Sequence, residues 1–219
     1  MSKGIIFWGG TGHAKVLREL VEHLDFKLLA VFDNNTSVPS PFPDVPIYHG
    51  PEGFRQWKET CEFREVSCLV AIGGARGRDR IQIQVFLQAE GLQPVAVVHP
   101  AAFVARNCSL GKGCQVLPHA TLCAEVRLGE ACIINTAASV DHESVLGRGV
   151  HVAPGARLAG CVSVGDCSLI GVGAVVLPRV KIGADVIVGA GSVVTKDVPD
   201  GVVAFGNPAR IRHAQNEDA

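Results

Sequence analysis

The sequence has almost no net charge, with 20 Lys and Arg set against 21 Asp and Glu in 219 residues. Its basic residues are scattered rather than gathered on one segment, so there is no field to draw in a polyanion, and nucleic acid is not an expected partner. Also missing is any apolar run near the roughly 18–20 residues that a spanning helix needs. The amino-terminal KGIIFWGG is too short an apolar stretch for a signal peptide. A cytoplasmic protein without a membrane partner is therefore expected. The eight cysteines include no CxxC-type pair, which removes the usual zinc spacing, and without an export signal they read as reduced thiols. Cys108, Cys114 and Cys132 share one small-residue position of a repeat, where a thiol serves as a small apolar filler.

Repetition is what the sequence has in quantity. Stepping by six from Val104 through Leu110, Val116 and so on to Val194, every position is Val, Leu or Ile. Glycine follows many of them, and the position four residues on is small or Val, as at Cys114, Ala120, Ala138, Ser144, Ala156, Ser168, Ala174 and Ser192. A period of six fits neither the 3.6-residue stripe of a helix nor the two-residue alternation of a simple strand. It fits a parallel β-helix, in which each hexad forms one short side of a coil and stacked coils bury a continuous aliphatic column. The pattern resembles left-handed β-helix hexapeptide acyltransferases over residues 104–199. That resemblance implies the left hand and three hexads per coil, hence about five coils. Pro199, Gly201 and GNPAR end the pattern, and the final AQNEDA is expected to be a disordered tail.

The first hundred residues follow a different rule. KGIIFWGGTGHAKVLRELVEHL runs from an apolar strand through a glycine-rich turn into an amphipathic helix. FKLLAVFDNN supplies a second strand, VSCLVAIGGARGRDRIQIQVFLQAEG repeats the strand, turn and helix, and QPVAVVHP reads as a last strand before the coil. Alternating strands and helices imply a small Rossmann-like parallel sheet with ligand contacts at the strand carboxyl ends. Residues 1–100 are thus expected to form a nucleotide-binding α/β domain, and 101–219 a β-helix domain with a short tail. Gly9, Gly10 and Gly12 would let the backbone approach a phosphate at a helix start. GGTGHA is only a partial dinucleotide fingerprint, and the small sheet suits a mononucleotide or nucleotide-sugar better than NAD. If the turns GGTGH and GGARGR converge, His13, Arg76 and Arg78 become candidate pyrophosphate contacts.

Against this aliphatic background, NTAASVDHESVLGRGVHVAPGA at 135–156 inserts Asp141, His142, Glu143 and His151. Imidazole, with a pKa near working pH, suits removal of a proton from an amine or hydroxyl attacking a thioester. A neighbouring carboxylate, Glu143, can hold the other ring nitrogen, while His151 and coil N–H groups could hold the thioester oxygen. Two other classes remain open. His119, His142 and His151 supply the three imidazoles of a hexapeptide metalloenzyme, though not its expected spacing. A non-catalytic nucleotide-sugar sensor would use the coil only as a spine, and would have no need for the DHE interruption.

GGTGHAK, DHE, GVHVAPGA, GVGAVVLP and GNPAR together resemble the bacterial PglD-like nucleotide-sugar acetyltransferases, relatives of sialic acid O-acetyltransferases, over essentially the whole chain. The resemblance implies a homotrimer with active sites between subunits, acetyl-CoA as cosubstrate, no metal, and a role in glycan biosynthesis. It implies His142 as general base and Glu143 as the residue raising its basicity. His151, Val172 and Ala190 are implied to line the coenzyme, and Thr11, Gly12, His13, Asp33, Asn34 and Gly73 to contact the substrate. The expected reaction is direct attack of the amine of a nucleotide-linked amino sugar, a 4-amino-deoxy sugar, on acetyl-CoA. O-acetylation of a sugar hydroxyl is the alternative. Asn34 and GGARGR depart from family patterns, which leaves the base open.

Overall fold

The computed structural model describes residues 3–62 and 65–212; the tail AQNEDA lies outside them. The amino-terminal domain is a five-stranded parallel sheet in the order β3-β2-β1-β4-β5. Its strands are β1 (Lys3–Trp8), β2 (Phe26–Asp33), β3 (Ile47–His49), β4 (Val66–Val70) and β5 (Gln93–Pro94). Helix α1 (Gly12–Glu22) lays Ala14, Leu17, Leu20 and Val21 on one side of this sheet. Helices α2 (Gly50–Thr60) and α3 (Gly77–Ala89) follow β3 and β4.

The sequence reading missed α2, although Pro51 opens its first turn and Phe54 and Trp57, three residues apart, are both buried. These two rings close an aromatic cluster: Trp57 meets Phe32 at 5.4 Å between centroids, and Phe54 meets Phe86 at 5.6 Å. The cluster packs around Trp8 and Phe32, at the ends of β1 and β2 from which the glycine turn and the Asp33 turn spring.

The coil begins earlier than its aliphatic pattern. Gln93–Pro94 pairs with β4, but Val97–Val98 (β6) pairs with Gln115–Val116 of the coil, so the segment QPVAVVHP is divided between the two domains. From there the left-handed β-helix is built of two-residue strands, each aligned with the strand 18 residues away, as Thr121 is with Ser139. Every aliphatic of the six-residue series is the second residue of its strand and faces inward, onto the buried small residues that the sequence pattern paired with it. Burying each such side chain contributes roughly 1.5–3 kcal/mol.

Corners repeat as strictly as sides. Every sixth residue from Gly113 to Gly191 has φ between +55° and +72°, including the non-glycines His119, Glu125, Ala131, Ala137, Glu143, Cys161, Cys167, Arg179 and Asp185. Left-handed backbone costs a non-glycine about 1 kcal/mol or more. The N–H of the corner residue offsets that cost by donating to a carbonyl of the preceding coil, as Glu143 does to Ala124 at 2.9 Å and Cys161 to His142 at 2.8 Å.

The coil has three faces, and the amino-terminal domain docks on one. Leu117 and Ile133, on the outside of the face that includes β6, share a core with Ile5, Phe7, Leu17 and Val97. Gln115, buried on the same face, donates from Nε2 to Val70 O at 2.8 Å. Arg80, from α3, is fully buried and donates to Ala131 O at 3.1 Å and Gly149 O at 2.6 Å. Arg78 pairs with Asp185 across the same seam. No helix among the described residues is long and apolar enough to cross a membrane.

Candidate active site

The sequence places a His, a Glu and an Asp together at one corner, and the corner geometry decides what they can do. Asp141 Oδ1 accepts the N–H of His142 at 2.7 Å, fixing the approach to the turn. Glu143 occupies the left-handed position, which carries its carboxylate back over the imidazole, with Oε2 3.0 Å from His142 Nδ1. An ionised carboxylate can only accept, so Nδ1 carries the proton and Nε2 keeps the lone pair. The ring is 53% exposed. Nε2 lies above Gly160, one coil on, where a Cβ would collide with the ring, 2.7 Å from Cε1. This is an exposed imidazole held in one tautomer, with a basic nitrogen that no described residue hydrogen-bonds, the arrangement that general-base catalysis requires.

A second site forms where β1, β2 and β4 end. A cavity of about 530 Å³ is lined by Trp8, Gly9, Thr11, Asp33, Asn34, Gly73 and Arg76, among others. Thr11 is the N-cap of α1 and Gly12 its first residue, so free N–H groups open toward this region. Asp33 braces the rim with both oxygens, accepting the N–H groups of Gly10 at 2.8 Å and Asn35 at 2.9 Å. The Trp8 indole N–H, buried at the wall, has no acceptor among the described residues.

Of the three candidate pyrophosphate contacts, only Arg76 lines the cavity, where it is paired with Asp79. Arg78 is turned to Asp185 on the coil. His13 points into the domain seam. Gln115 already donates from its amide nitrogen, so its oxygen accepts from His13 Nε2 at 2.7 Å. Burial pushes the His13 pKa down, so the ring is a neutral tether rather than a cationic phosphate ligand.

His151 stands in the seam between the domains. It is 5% exposed. Nδ1 donates to Gly74 O at 3.3 Å and Nε2 accepts from Asn135 Nδ2 at 3.0 Å, so both ring nitrogens are occupied, and direct contact with a thioester would have to displace one of them. The ring joins the turn at 73–74 to the coil. Arg80 reinforces the join by donating to Ile72 O at 3.1 Å and Gly74 O at 3.4 Å from beneath. Asn135, Gln115, Arg80 and Gly160 were not singled out from the sequence. Val172, 55% exposed, and the exposed Ala190 stand one coil apart on a single corner, at the edge of the docked face.

Burial, and then the Arg80 charge, push the His151 pKa down to about 4. In the unfolded chain an imidazole binds its proton near pH 6.5, so below that pH the unfolded state takes up a proton that the native state refuses until about pH 4. Stability from this group is therefore complete above pH 6.5 and is lost as pH falls toward 4, by up to about 3 kcal/mol. Urea midpoints at pH 7.5 and 4.5 should differ less in His151→Gln than in the wild type; an equal difference would remove His151 as a source of acid sensitivity.

His119, His142 and His151 do not converge on a common centre. His142 stands on a corner, His151 is buried in the seam, and the metal-capable group that forms among the described residues is His142, Glu143 and Cys161.

Comparison with known proteins bears on the whole chain. Residues 4–85 match the PglD N-terminal domain, and residues 161–196 the bacterial transferase hexapeptide (six repeats). PerB from Caulobacter crescentus, solved with CoA and GDP-perosamine, is 38% identical, with a TM-score of 0.86 over 95% of this chain and 97% of that one. The acetyltransferase domain of PglB from Neisseria gonorrhoeae, solved with acetyl coenzyme A, is 30% identical, with a TM-score of 0.85 over 97% of this chain and 100% of that one. A curated relative, the galactoside O-acetyltransferase of Lactococcus lactis, is 54% identical over 43 residues, 20% of this chain and 21% of its own length. The chain thus spans about a fifth of that relative. Full-length similarity to PerB, with both family segments present in one chain, makes this protein a member of the PglD-like family of hexapeptide-repeat nucleotide-sugar acetyltransferases.

Proposed function

We propose that the protein transfers the acetyl group of acetyl-CoA to the amine of a nucleotide-linked amino sugar, with His142 as general base, in the cytoplasm, where its eight thiols stay reduced. The observation that carries this reading is the exposed His142–Glu143 pair, a fixed tautomer with a basic Nε2, on a chain that also has a nucleotide-sized cavity. PerB is solved with GDP-perosamine and the PglB domain with acetyl coenzyme A, ligands of the classes these two features suit. The sugar amine attacks the thioester carbonyl as Nε2 takes its proton, the thiolate of coenzyme A leaves, and the imidazolium is held by Glu143. Thr11, Gly12, Asp33, Asn34 and Gly73 surround the nucleotide, with His13 steadying their turn, and Val172 and Ala190 flank the coenzyme. His151 contributes by fixing Asn135 and Gly74.

The active site needs two copies of the chain. The nucleotide cavity belongs to the domain docked on the face containing Gln115, Ile133 and His151, whereas His142 stands at the corner opposite that face, where the strands Ser139–Val140 and Val145–Leu146 meet. His142 therefore lies a full coil side away from the cavity of its own chain. In a homotrimer, a neighbouring copy would bring its corner to the cavity. Free thiol released from acetyl-CoA in the presence of GDP- and UDP-linked amino sugars tests the activity. Release only with sugars bearing a free hydroxyl and no amine would redirect the reading to O-acetylation.

Co-expression tests the shared site. His142→Ala lacks the base and Gly73→Leu fills the cavity, so each alone is inactive. If cavity and base come from different copies, random assembly restores about a quarter of wild-type turnover. No recovery in mixed assemblies would place both in one copy and overturn the shared site.

A further inference from the structure

The coil stacks Cys161 on Glu143, and this carries a consequence beyond acetyl transfer. Both residues occupy the left-handed corner position, 18 residues apart, and Cys161 Sγ lies 3.7 Å from Glu143 Oε2. The same oxygen is 3.0 Å from His142 Nδ1, and sulfur, oxygen and nitrogen all lie within 4.8 Å of one another. Zinc bonds of about 2.3 Å to sulfur and 2.0–2.1 Å to nitrogen or oxygen, at tetrahedral angles, put S and O about 3.6 Å apart and N and O about 3.3 Å apart. The observed 3.7 and 3.0 Å are within a few tenths of an ångström of two edges of that tetrahedron, and the third separation is under 4.8 Å. Exposure of His142 and Glu143 leaves the fourth position to water.

We propose that His142, Glu143 and Cys161 form an inhibitory site for a thiophilic divalent cation such as zinc or cadmium. Binding forms bonds from the metal to Sγ, to a Glu143 oxygen and to the imidazole. It releases the thiol proton of Cys161 to solvent, and the ring proton moves from Nδ1 to Nε2, so the imidazole stays neutral but its basic nitrogen is capped. The metal therefore competes with the very proton that sets the tautomer of the base, and a loaded dyad cannot carry out the transfer. Thiolate is the selective element: a His and a Glu alone hold zinc weakly at an exposed surface, and sulfur favours soft ions over magnesium or calcium. The same corner of the preceding coil bears Glu125, which adds negative charge on the side away from Cys161.

The loss of activity rests on the role assigned to His142; the coordination does not. Cadmium titrated into the purified protein should raise a thiolate-to-metal charge-transfer band saturating near one equivalent. Cys161→Ala should lack it, and His142→Asn and Glu143→Gln should weaken cadmium binding roughly tenfold or more. In the transfer assay, zinc should inhibit the wild type at concentrations about tenfold below those needed for Cys161→Ala, whose metal-free turnover matches the wild type. An identical cadmium band in wild type and Cys161→Ala, or one unaffected by His142→Asn, overturns the site. So does equal zinc sensitivity of the two active proteins. If neither protein transfers acetyl groups, the proposed function fails, and the cadmium band alone still decides the metal site.

Discussion

Replacing His142 with alanine should lower kcat by about 100-fold or more while leaving the KM for acetyl-CoA nearly unchanged, since general-base catalysis is typically worth 10²–10⁴. The expectation follows from placement. The ring is exposed, outside the aliphatic column, and its removal deletes none of the ladder hydrogen bonds, because His142 O still accepts from Cys161 N–H. Activity and stability should therefore separate: the Tm of His142→Ala stays within a degree or two of wild type. Glu143→Gln should cost less, of order tenfold, because the amide keeps a contact with Nδ1 and loses only the charge that stabilises the imidazolium. Turnover of His142→Ala near wild type, measured by thiol release at saturating acetyl-CoA, would remove the imidazole from the reaction.

Coil and base were legible in the sequence for the same reason: a strict period makes any departure visible. The sixteen aliphatics from Val104 to Val194 all became second residues of strands, and DHE stood out because it sets three such groups side by side. The residues that escaped notice act across the stack or across the seam, where the relevant spacing is not local. Gly160 and Cys161 are found by adding one coil, 18 residues, to His142 and Glu143, a step that needs the coil length in hand. Arg80 is harder. It falls on the buried face of α3 with Gly77, Gln84 and Leu87, a face whose polarity hides its burial, and nothing local separates it from the exposed Arg76 and Arg78. His13 reads as a phosphate contact because it follows a glycine turn, and His151 as a thioester contact because it stands near His142 in a stretch that resembles the family. The domain seam claimed them first, satisfying His13 through Gln115 and His151 through Gly74 and Asn135.

Gly160→Ala should be nearly as damaging as loss of the base itself, at roughly 100-fold in kcat, although the substitution adds a single methyl group that touches no substrate. Gly160 is not in the left-handed backbone region, so alanine meets no backbone strain there. What it meets is the imidazole: an added Cβ would fall on Nε2 and lie 2.7 Å from Cε1. The ring must swing aside, which breaks its 3.0 Å contact with Glu143 and moves the basic nitrogen by an ångström or so. Misplacement on that scale costs about 10² in rate when reacting atoms must be held within a near-attack distance. A purely structural role predicts something different, namely a loss that adds to that of any other variant. The two accounts separate in a cycle. With His142→Ala in place there is no ring to displace, so Gly160→Ala should cost nothing further in that background, and the double variant should match His142→Ala alone. Additive losses in the cycle would mean that Gly160 serves the coil rather than the base.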